Sequence, residues 1–424
     1  MERAIKINRC KSIQTIVDQH VEDASFLWLL RSSAVNEPHY RLVDLTHLDE
    51  RVEANLEGLR IAGEAGWQVC REAMAVGEPG EIFTAGALAF ESMNPARMDA
   101  VLAAVVGIPE LQSALCSALG WIEFHKMTDA AGKLLGADLA FLKRIGLSAH
   151  AIHRQDPGPR LATFIADDDP RVRSRALKAA GELGRLDLQP LVLEYIDDDD
   201  EKCRFYAAWS ATLLGATAGI ETLKALVKDR SAYAQRATEV AVRKMNPVDA
   251  LSWLGELAQH SEILRPVIFG YGALGDPKTI DWLIEMMNAP ELARAAGQGL
   301  SMITGVDIAY QDLEGEWPEG FEAGPTENPE DEDVAMDPDE DLPWPEPGLI
   351  RNWWAAGRNR FRAGKRYLAG QPVSAEHCKN VLAGGFQRQR ISAALELALM
   401  KPGRPLFETR APGFRQQGWV GINK

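Results

Sequence analysis

Residues 168–184 read Asp-Asp-Pro-Arg-Val-Arg-Ser-Arg-Ala-Leu-Lys-Ala-Ala-Gly-Glu-Leu-Gly, and this stretch predicts one helix with both ends marked. Asp169 is a residue type that caps helix N-termini, and Pro170 suits the first helical position, where its missing N–H costs no hydrogen bond. Gly184 can take the left-handed conformation that closes a helix. Apolar residues recur between the ends at helical spacing: Val172, Ala176, Ala179 and Leu183. Such a helix is marginally stable alone, so we expect it to pack against neighbours.

A repeating pattern supplies those neighbours. Gly215 follows Gly184 by 31 residues, and Gly305 follows Gly275 by 30. The closing position expected between Gly215 and Gly275 falls on Met245-Asn246, and Asn also tolerates a left-handed helix end. Asn246-Pro247 and Asp276-Pro277 also repeat the cap-then-proline start of Asp169-Pro170. Each closing position ends a predicted helix, at Arg204–Leu214, Ala232–Met245, Ile263–Leu274 and Leu292–Thr304. A shorter helix is predicted after each of the first four, at Leu188–Ile196, Ile220–Val227, Val248–Ala258 and Thr279–Met287.

A period near 30 with two helices per unit predicts an all-α fold, an α-solenoid of helix pairs; an irregular helical bundle is the alternative. Four segments are predicted. An N-terminal helical segment, 1–78, holds a helix over 12–31 and a second helix, Leu48 to Gly63, opened by a capping box at Thr46 and Asp49. The solenoid spans 79–310. Its less regular start holds helices predicted at Phe83–Ser92, Ala96–Val106, Pro109–Ile122 and Ala137–His153.

The third and fourth segments, 311–347 and 348–424, have opposite charge. Residues 314–341 hold thirteen Asp and Glu, and no Lys or Arg occurs from Gln311 to Ile350, which indicates a disordered or loosely attached acidic linker. It is interpreted either as a solvated spacer or as a docking strand for a basic surface. The acidic candidates are Glu330, Asp331, Glu332, Asp333, Asp337, Asp339, Glu340 and Asp341.

The helical tail after the linker is basic, with fourteen Lys and Arg against three Asp and Glu from Arg351 to Lys424. Opposite charges attract over a screening length of about 8–10 Å, so we expect the linker to fold back on the tail. The candidate partner-binding residues are basic or aromatic: Arg171, Arg173, Arg175, Arg204, Trp353, Trp354, Arg358, Arg388 and Arg390. The two tryptophans are equally well explained as anchors that pack the tail on the solenoid.

Composition excludes several classes of function. The net charge of −15, with no dominant basic stripe, argues against nucleic acid as a partner. Scattered cysteines without a CxxC pair, and no apolar leader in the N-terminal stretch, favour the cytoplasm. No apolar run has membrane-spanning length, so no membrane insertion is expected. His150-x-x-His153 has metal-ligand spacing, but a lone pair at a helix end is weak. We therefore predict no metal, cofactor or catalytic residue, and oligomeric state stays open.

Two resemblances extend this interpretation. Asp169-Pro-Arg-Val-Arg-Ser-Arg-Ala176 resembles the Asp-Pro-x-Val-Arg-x-x-Ala signature of HEAT-like repeats of the phycobilisome-lyase type. The stretches 20–28 and 48–63 resemble a poorly characterised proteobacterial family whose members carry HEAT-like repeats and are often encoded near type VI secretion components. That resemblance implies a non-enzymatic protein-binding scaffold, an adaptor or immunity-type accessory, with a secreted effector or spike-associated component as partner. The alternatives are a HEAT-fold enzyme, lyase- or glycosylase-like, and a structural homo-oligomer.

Overall fold

The computed structural model describes residues 13–324 and 336–421, and these form an all-α solenoid of stacked helix pairs, which confirms the predicted fold class. The only strands in these ranges are two short ones, β1 (Tyr367–Leu368) and β2 (Gln371–Pro372), paired antiparallel. The helices are α1 Gln14–Ala34, α2 Leu42–Ala62, α3 Glu64–Ala73, α4 Pro79–Glu91, α5 Pro95–Ala104, α6 Pro109–Trp121, α7 Phe124–Leu135, α8 Ala140–Ile152, α9 Arg160–Ile165, α10 Pro170–Leu183, α11 Gln189–Leu193, α12 Glu201–Leu213, α13 Gly219–Lys228, α14 Ala234–Lys244, α15 Pro247–Leu257, α16 Leu264–Leu274, α17 Ile280–Met286, α18 Pro290–Thr304, α19 Pro347–Gly357, α20 Ala375–Gly384, α21 Gln387–Met400 and α22 Gly413–Val420.

The chain divides into two compact units. The first holds residues 13–35, 43–155 and 410–419. The second holds residues 36–42, 156–324, 336–409 and 420–421. The contacts therefore follow a different division from the four predicted segments, since the basic tail contributes to both units.

In the first unit, α1 packs on α4, α4 on α6 and α6 on α8. Trp28 stacks on Phe83 with ring centroids 4.9 Å apart, and Phe83 meets Trp121 edge-on at 5.5 Å. Helix α7, which the sequence analysis missed, completes this unit by packing on α8. Its buried face repeats at helical spacing, with Met127, Ala130, Ala131, Leu134 and Leu135.

The predicted capping box at Thr46 and Asp49 is wrong. Helix α2 begins at Leu42, so both residues lie inside it and are buried. Asp49 instead pairs with Arg31, whose Nε lies 2.9 Å from its carboxylate. The second Asp49 oxygen accepts the backbone N–H of Gly413. A carboxylate inside a helix is costly to bury without such partners, and the pattern of residue types alone does not reveal them.

The second unit confirms most predicted helix ends. Asp169 Oδ1 accepts the N–H of Arg171 at 2.8 Å, Pro170 is the first residue of α10, and Gly184 closes it with φ +68°. The other closing glycines also have positive φ: Gly215, Gly275 and Gly305. The predicted left-handed closure at Asn246 is wrong, because its φ is −59°. Asn246 starts the next helix instead, with Oδ1 accepting the N–H of Val248 at 2.9 Å.

The helix pairs of this unit are α9–α10, α11–α12, α13–α14, α15–α16 and α17–α18. Their second helices form one continuous layer, in which α10 packs on α12, α12 on α14, α14 on α16 and α16 on α18. We call these five helices the second-helix layer. Most of the first helices are shorter, and 3-10 turns precede two of them, at Leu186–Leu188 and Pro277–Thr279. Pro266 lies in the first turn of α16, where a proline is tolerated. Helix α21 of the tail packs on α12 and α14, and Arg243 donates to Ser392 Oγ at 2.9 Å there.

Candidate protein-binding surface

Arg173 connects two neighbouring repeats. Its guanidinium binds both carboxylate oxygens of Asp198 in the following repeat, at 2.6 and 3.1 Å. It also donates to the backbone carbonyl of Asp167 at 2.9 Å. The Asp198 hydrogen bond raises the pKa of Arg173 further above its ordinary value, against the effect of burial. Because Asp167 and Asp198 belong to neighbouring repeats, the contacts of Arg173 with both residues stabilise the stacking of those repeats.

The same arrangement recurs one repeat later. Asp167 Oδ1 accepts the N–H of Asp169 at 3.0 Å, and Asp198 Oδ1 accepts the N–H of Asp200 at 2.8 Å. Arg204 then donates to the backbone carbonyls of Asp198 and Asp199 at 2.6 and 2.8 Å. We call this unit, two aspartates one residue apart with the first accepting the N–H of the second, the Asp-x-Asp turn. Arg204, like Arg173, is held by contacts within the chain.

A third Asp-x-Asp turn lies in the acidic segment. Asp337 Oδ1 accepts the N–H of Asp339 at 2.9 Å. Arg294 of α18 pairs with Asp337 at 2.7 Å and donates to the Asp339 carbonyl at 2.9 Å. Arg265 of α16 binds both Asp339 carboxylate oxygens, each at 2.7 Å. Burial disfavours ionised Asp337, yet the hydrogen bond and charge of Arg294 leave its pKa below the ordinary value.

The loosely attached linker predicted here is therefore wrong for residues 336–341. Composition indicates solvated carboxylates, but Asp339 is buried, and composition does not reveal that Arg265 and Arg294 of the second-helix layer pair with Asp339 and Asp337. Aromatic rings strengthen the same contact, because the Arg294 guanidinium lies 5.0 Å from the Trp317 ring and 5.3 Å from the Trp344 ring. The candidates Glu330, Asp331, Glu332 and Asp333 lie outside the described residues.

The acidic segment was expected to fold back on the basic tail, and in the part of the chain that the structure describes Arg388 is the tail residue that interacts with it. Asp337 and Asp339 form their ion pairs with arginines of the repeats. Arg388 of the tail interacts electrostatically with Asp339 and Asp341. Arg388 Nε donates to the Asn36 carbonyl at 3.0 Å. Asp341 hydrogen-bonds to Glu37, and Glu340 is exposed. Burial, then Asp341, raises the pKa of Glu37 to about 7.

The tail candidates have different environments. Arg390 is 0% exposed, so its predicted contact with a partner is wrong. It donates to the Leu382 carbonyl at 2.7 Å, and burial lowers its pKa to about 10. Trp354 is buried in the core cluster that α16, α17 and α18 form, and its ring centroid lies 5.4 Å from that of Phe361. Trp353 is half-buried and donates to Gln311 Oε1 at 2.8 Å, whereas Arg358 is exposed.

The remaining repeat candidates lie near the surface. Arg171 is exposed and pairs with Asp169 at 2.8 Å. Arg175 pairs with Glu182 at 2.9 Å. Beside them lies a group that the sequence analysis missed, formed by Lys178, Lys202, Tyr206 and Arg236 of α10, α12 and α14. The repeat pattern gives no simple signal for this group, because the four residues occupy different positions in successive second helices.

Across residues 13–324 and 336–421, no three His, Cys, Asp or Glu side chains come together in a way that could hold a metal ion. His150 Nδ1 lies 3.3 Å from the Gln155 carbonyl oxygen, and His153 Nε2 lies 2.8 Å from that of Leu119. In the same ranges, every helix is too short or too polar to span a bilayer.

Comparison with known proteins bears on the repeats. A search of the curated proteins found no match to this chain. Residues 158–243 match the family described as HEAT repeats. The matched stretch runs from just before α9 almost to the end of α14, and so covers the first two Asp-x-Asp turns. The helix pairs and this match together support a HEAT-like repeat protein, a fold that is suited to binding other proteins.

Proposed function

We propose that the chain is a non-enzymatic protein-binding scaffold. The observation that carries this proposal is the docking of residues 336–341 on the second-helix layer, where Arg265 and Arg294 hold a short acidic turn. The layer thus has the side chains needed to bind a peptide, with cations placed above a supporting row of packed helices. Repeat proteins bind partners through such continuous surfaces.

We further propose that the scaffold serves a bacterial type VI secretion system in the cytoplasm, as an adaptor or immunity-type accessory protein. The support for this context is the resemblance of residues 20–28 and 48–63 to a family encoded beside such systems. The partner would be a secreted effector or a spike-associated component. An adaptor would deliver that partner, whereas an immunity protein would block it, and both roles require a stable complex.

Affinity capture of the tagged full chain from cells that express the secretion system tests the proposal. The expected result is specific recovery of an effector or spike-associated protein, identified by mass spectrometry and absent when the tag alone is used. Recovery of the chain as a clean monomer, with no partner above the control, would contradict the scaffold function. An adaptor is distinguished by loss of effector secretion in a deletion strain, and an immunity protein by toxicity in that strain.

A further inference from the structure

The surface formed by Lys178, Lys202, Tyr206 and Arg236 combines positive charge with aromatic rings. The Lys178 ammonium lies 5.5 Å from the centroid of the Tyr206 ring. The Arg236 guanidinium lies 5.6 Å from the same centroid and 4.9 Å from that of Phe205. Phe205 in turn stacks on Tyr233 at 4.5 Å. The cations therefore rest on a rigid aromatic base, which limits the side-chain entropy lost when they bind a ligand.

The positive charge of this surface is in excess. Lys202 and Arg236 are exposed, and within the described ranges neither side chain has a carboxylate at ion-pair distance. Lys178 lies 3.6 Å from Glu182, but Arg175 already pairs with that carboxylate at 2.9 Å. The nearby Glu201 accepts a hydrogen bond from Ser231 at 2.8 Å, and Glu239 lies 3.8 Å from Arg243. The Ser231 hydroxyl leaves the charge of Glu201 in place, so an anionic ligand would meet the two exposed cations with one uncompensated carboxylate beside them.

The chain itself shows which ligand the neighbouring repeats accept. On α16 and α18, Arg265 and Arg294 hold the carboxylates of Asp337 and Asp339, with Arg294 placed over the Trp317 and Trp344 rings. On α10, α12 and α14 the same combination of cations and rings occurs, and the two exposed cations are without carboxylates. Charge complementarity thus favours an acidic peptide over an apolar or basic one.

We propose that Lys178, Lys202, Tyr206 and Arg236 form a docking site for an acidic segment of a partner protein. Carboxylates of the segment would receive charge-assisted hydrogen bonds from Arg236 and the two lysines. The buried Tyr206, whose hydroxyl lies 3.5 Å from Arg236 Nη1, would hold that guanidinium in place. The inference rests on the scaffold function proposed above, and it names the chemistry of the partner and the repeats that contact it.

Fluorescence anisotropy of the full chain with a labelled peptide of alternating Asp and Glu tests this site. We expect binding that weakens with added salt, and a loss of about tenfold or more in affinity for Lys202→Glu with Arg236→Glu. The matched control is Lys228→Glu with Lys278→Glu, which makes the same charge change at two exposed positions in the same unit. We expect this control to bind the peptide nearly as well as the wild type.

Equal losses in the two double variants, or no peptide binding by the wild type, would overturn the site. Equally tight, site-dependent binding of polyphosphate or duplex DNA would overturn its assignment to an acidic protein segment. If the glutamate variant unfolds, as judged by circular dichroism, Lys202→Gln with Arg236→Gln provides the same comparison with a smaller expected loss. A partner captured from cells equally by wild type and site variant would refute the site and leave the scaffold function standing.

Discussion

The carboxylate of Asp337 pairs with the guanidinium of Arg294 at 2.7 Å, just as Asp198 pairs with Arg173 between two repeats. Each arginine lies 11 residues before the glycine that closes its helix, Gly305 and Gly184 respectively. Each aspartate also accepts the N–H of the residue two positions later. The acidic segment therefore provides the last full repeat with the contact that a following repeat would make.

The first prediction concerns this pair. Asp337→Ala should lower the free energy of unfolding by about 3 kcal/mol, because it leaves the buried guanidinium of Arg294 without its carboxylate. The measurement is urea denaturation followed by circular dichroism. Glu340→Ala removes an exposed carboxylate from the same segment and should change the stability by less than about 0.5 kcal/mol. Similar effects of the two substitutions would contradict the assigned role of Asp337.

The second prediction concerns the pair between repeats. Asp198→Asn should destabilise the fold by about 2 kcal/mol, because Arg173 would lose a bidentate, charge-assisted contact. Asp199→Asn, at the exposed neighbouring position, is the control. A double-mutant cycle with Arg173→Ala should give a coupling energy of about 1 kcal/mol or more. Additive effects of the two substitutions would show that the pair contributes nothing to stability.

The third prediction concerns pH. Because the pKa of Glu37 is raised to about 7 from 4.5, its contribution to stability is complete below about pH 4.5 and is lost as the pH rises through about 7. Glu37→Gln should therefore stabilise the protein relative to wild type at pH 8, and the difference should vanish near pH 4.5. Thermal unfolding across this range measures it.

A nearby histidine provides the control for that experiment. His39 is exposed, and imidazole groups ordinarily titrate in the same range of pH. His39→Gln should leave the difference between wild type and Glu37→Gln unchanged. A pH profile that Glu37→Gln does not alter would show that the pKa of Glu37 is not raised.

The fourth prediction concerns the closing glycine of α10. Gly184 has φ +68°, and a Cβ there would lie 2.6 Å from the Gly403 carbonyl oxygen. Gly184→Ala should therefore cost more than the roughly 1–2 kcal/mol of left-handed strain alone. Gly158→Ala isolates that strain, because Gly158 has φ +70° and no atom within 4 Å of an added Cβ. Equal losses of stability in urea denaturation would contradict the contact with Gly403.

The sequence predicts the repeats well because their ends depend on local chemistry. A glycine at the end of a helix favours a left-handed conformation because it has no side chain. Positive φ is found at all four closing glycines: Gly184, Gly215, Gly275 and Gly305. Asn246 is ambiguous by residue type, since Asn both closes and opens helices, and the proline after it is the better guide. The capping box predicted at Thr46 and Asp49 was wrong for a similar reason, because the same pattern of residue types also occurs inside helices.

The candidate surface was harder to predict because it depends on long-range contacts. The basic stretch around Arg390 gives no sign that its guanidinium is buried, and the acidic segment gives no sign of Arg265 and Arg294. The pairing of Asp337 with Arg294 joins residues far apart in sequence, and composition treats each charge as if it faced solvent. The Asp-x-Asp turn was the available signal, since it occurs at 167–169 and 198–200 in the repeats and again at 337–339.

The turn at Asp337 also bears on growth of the array. A stack of repeats ends in a surface that a further unit, from the same chain or another copy, can continue. Here that position on α18 is filled by a short stretch without a helix pair, so elongation from this end requires its removal. A design that adds a repeat after Gly305 would first have to delete residues 336–341. A design that inserts a repeat between α12 and α13 would leave the contacts of residues 336–341 unchanged.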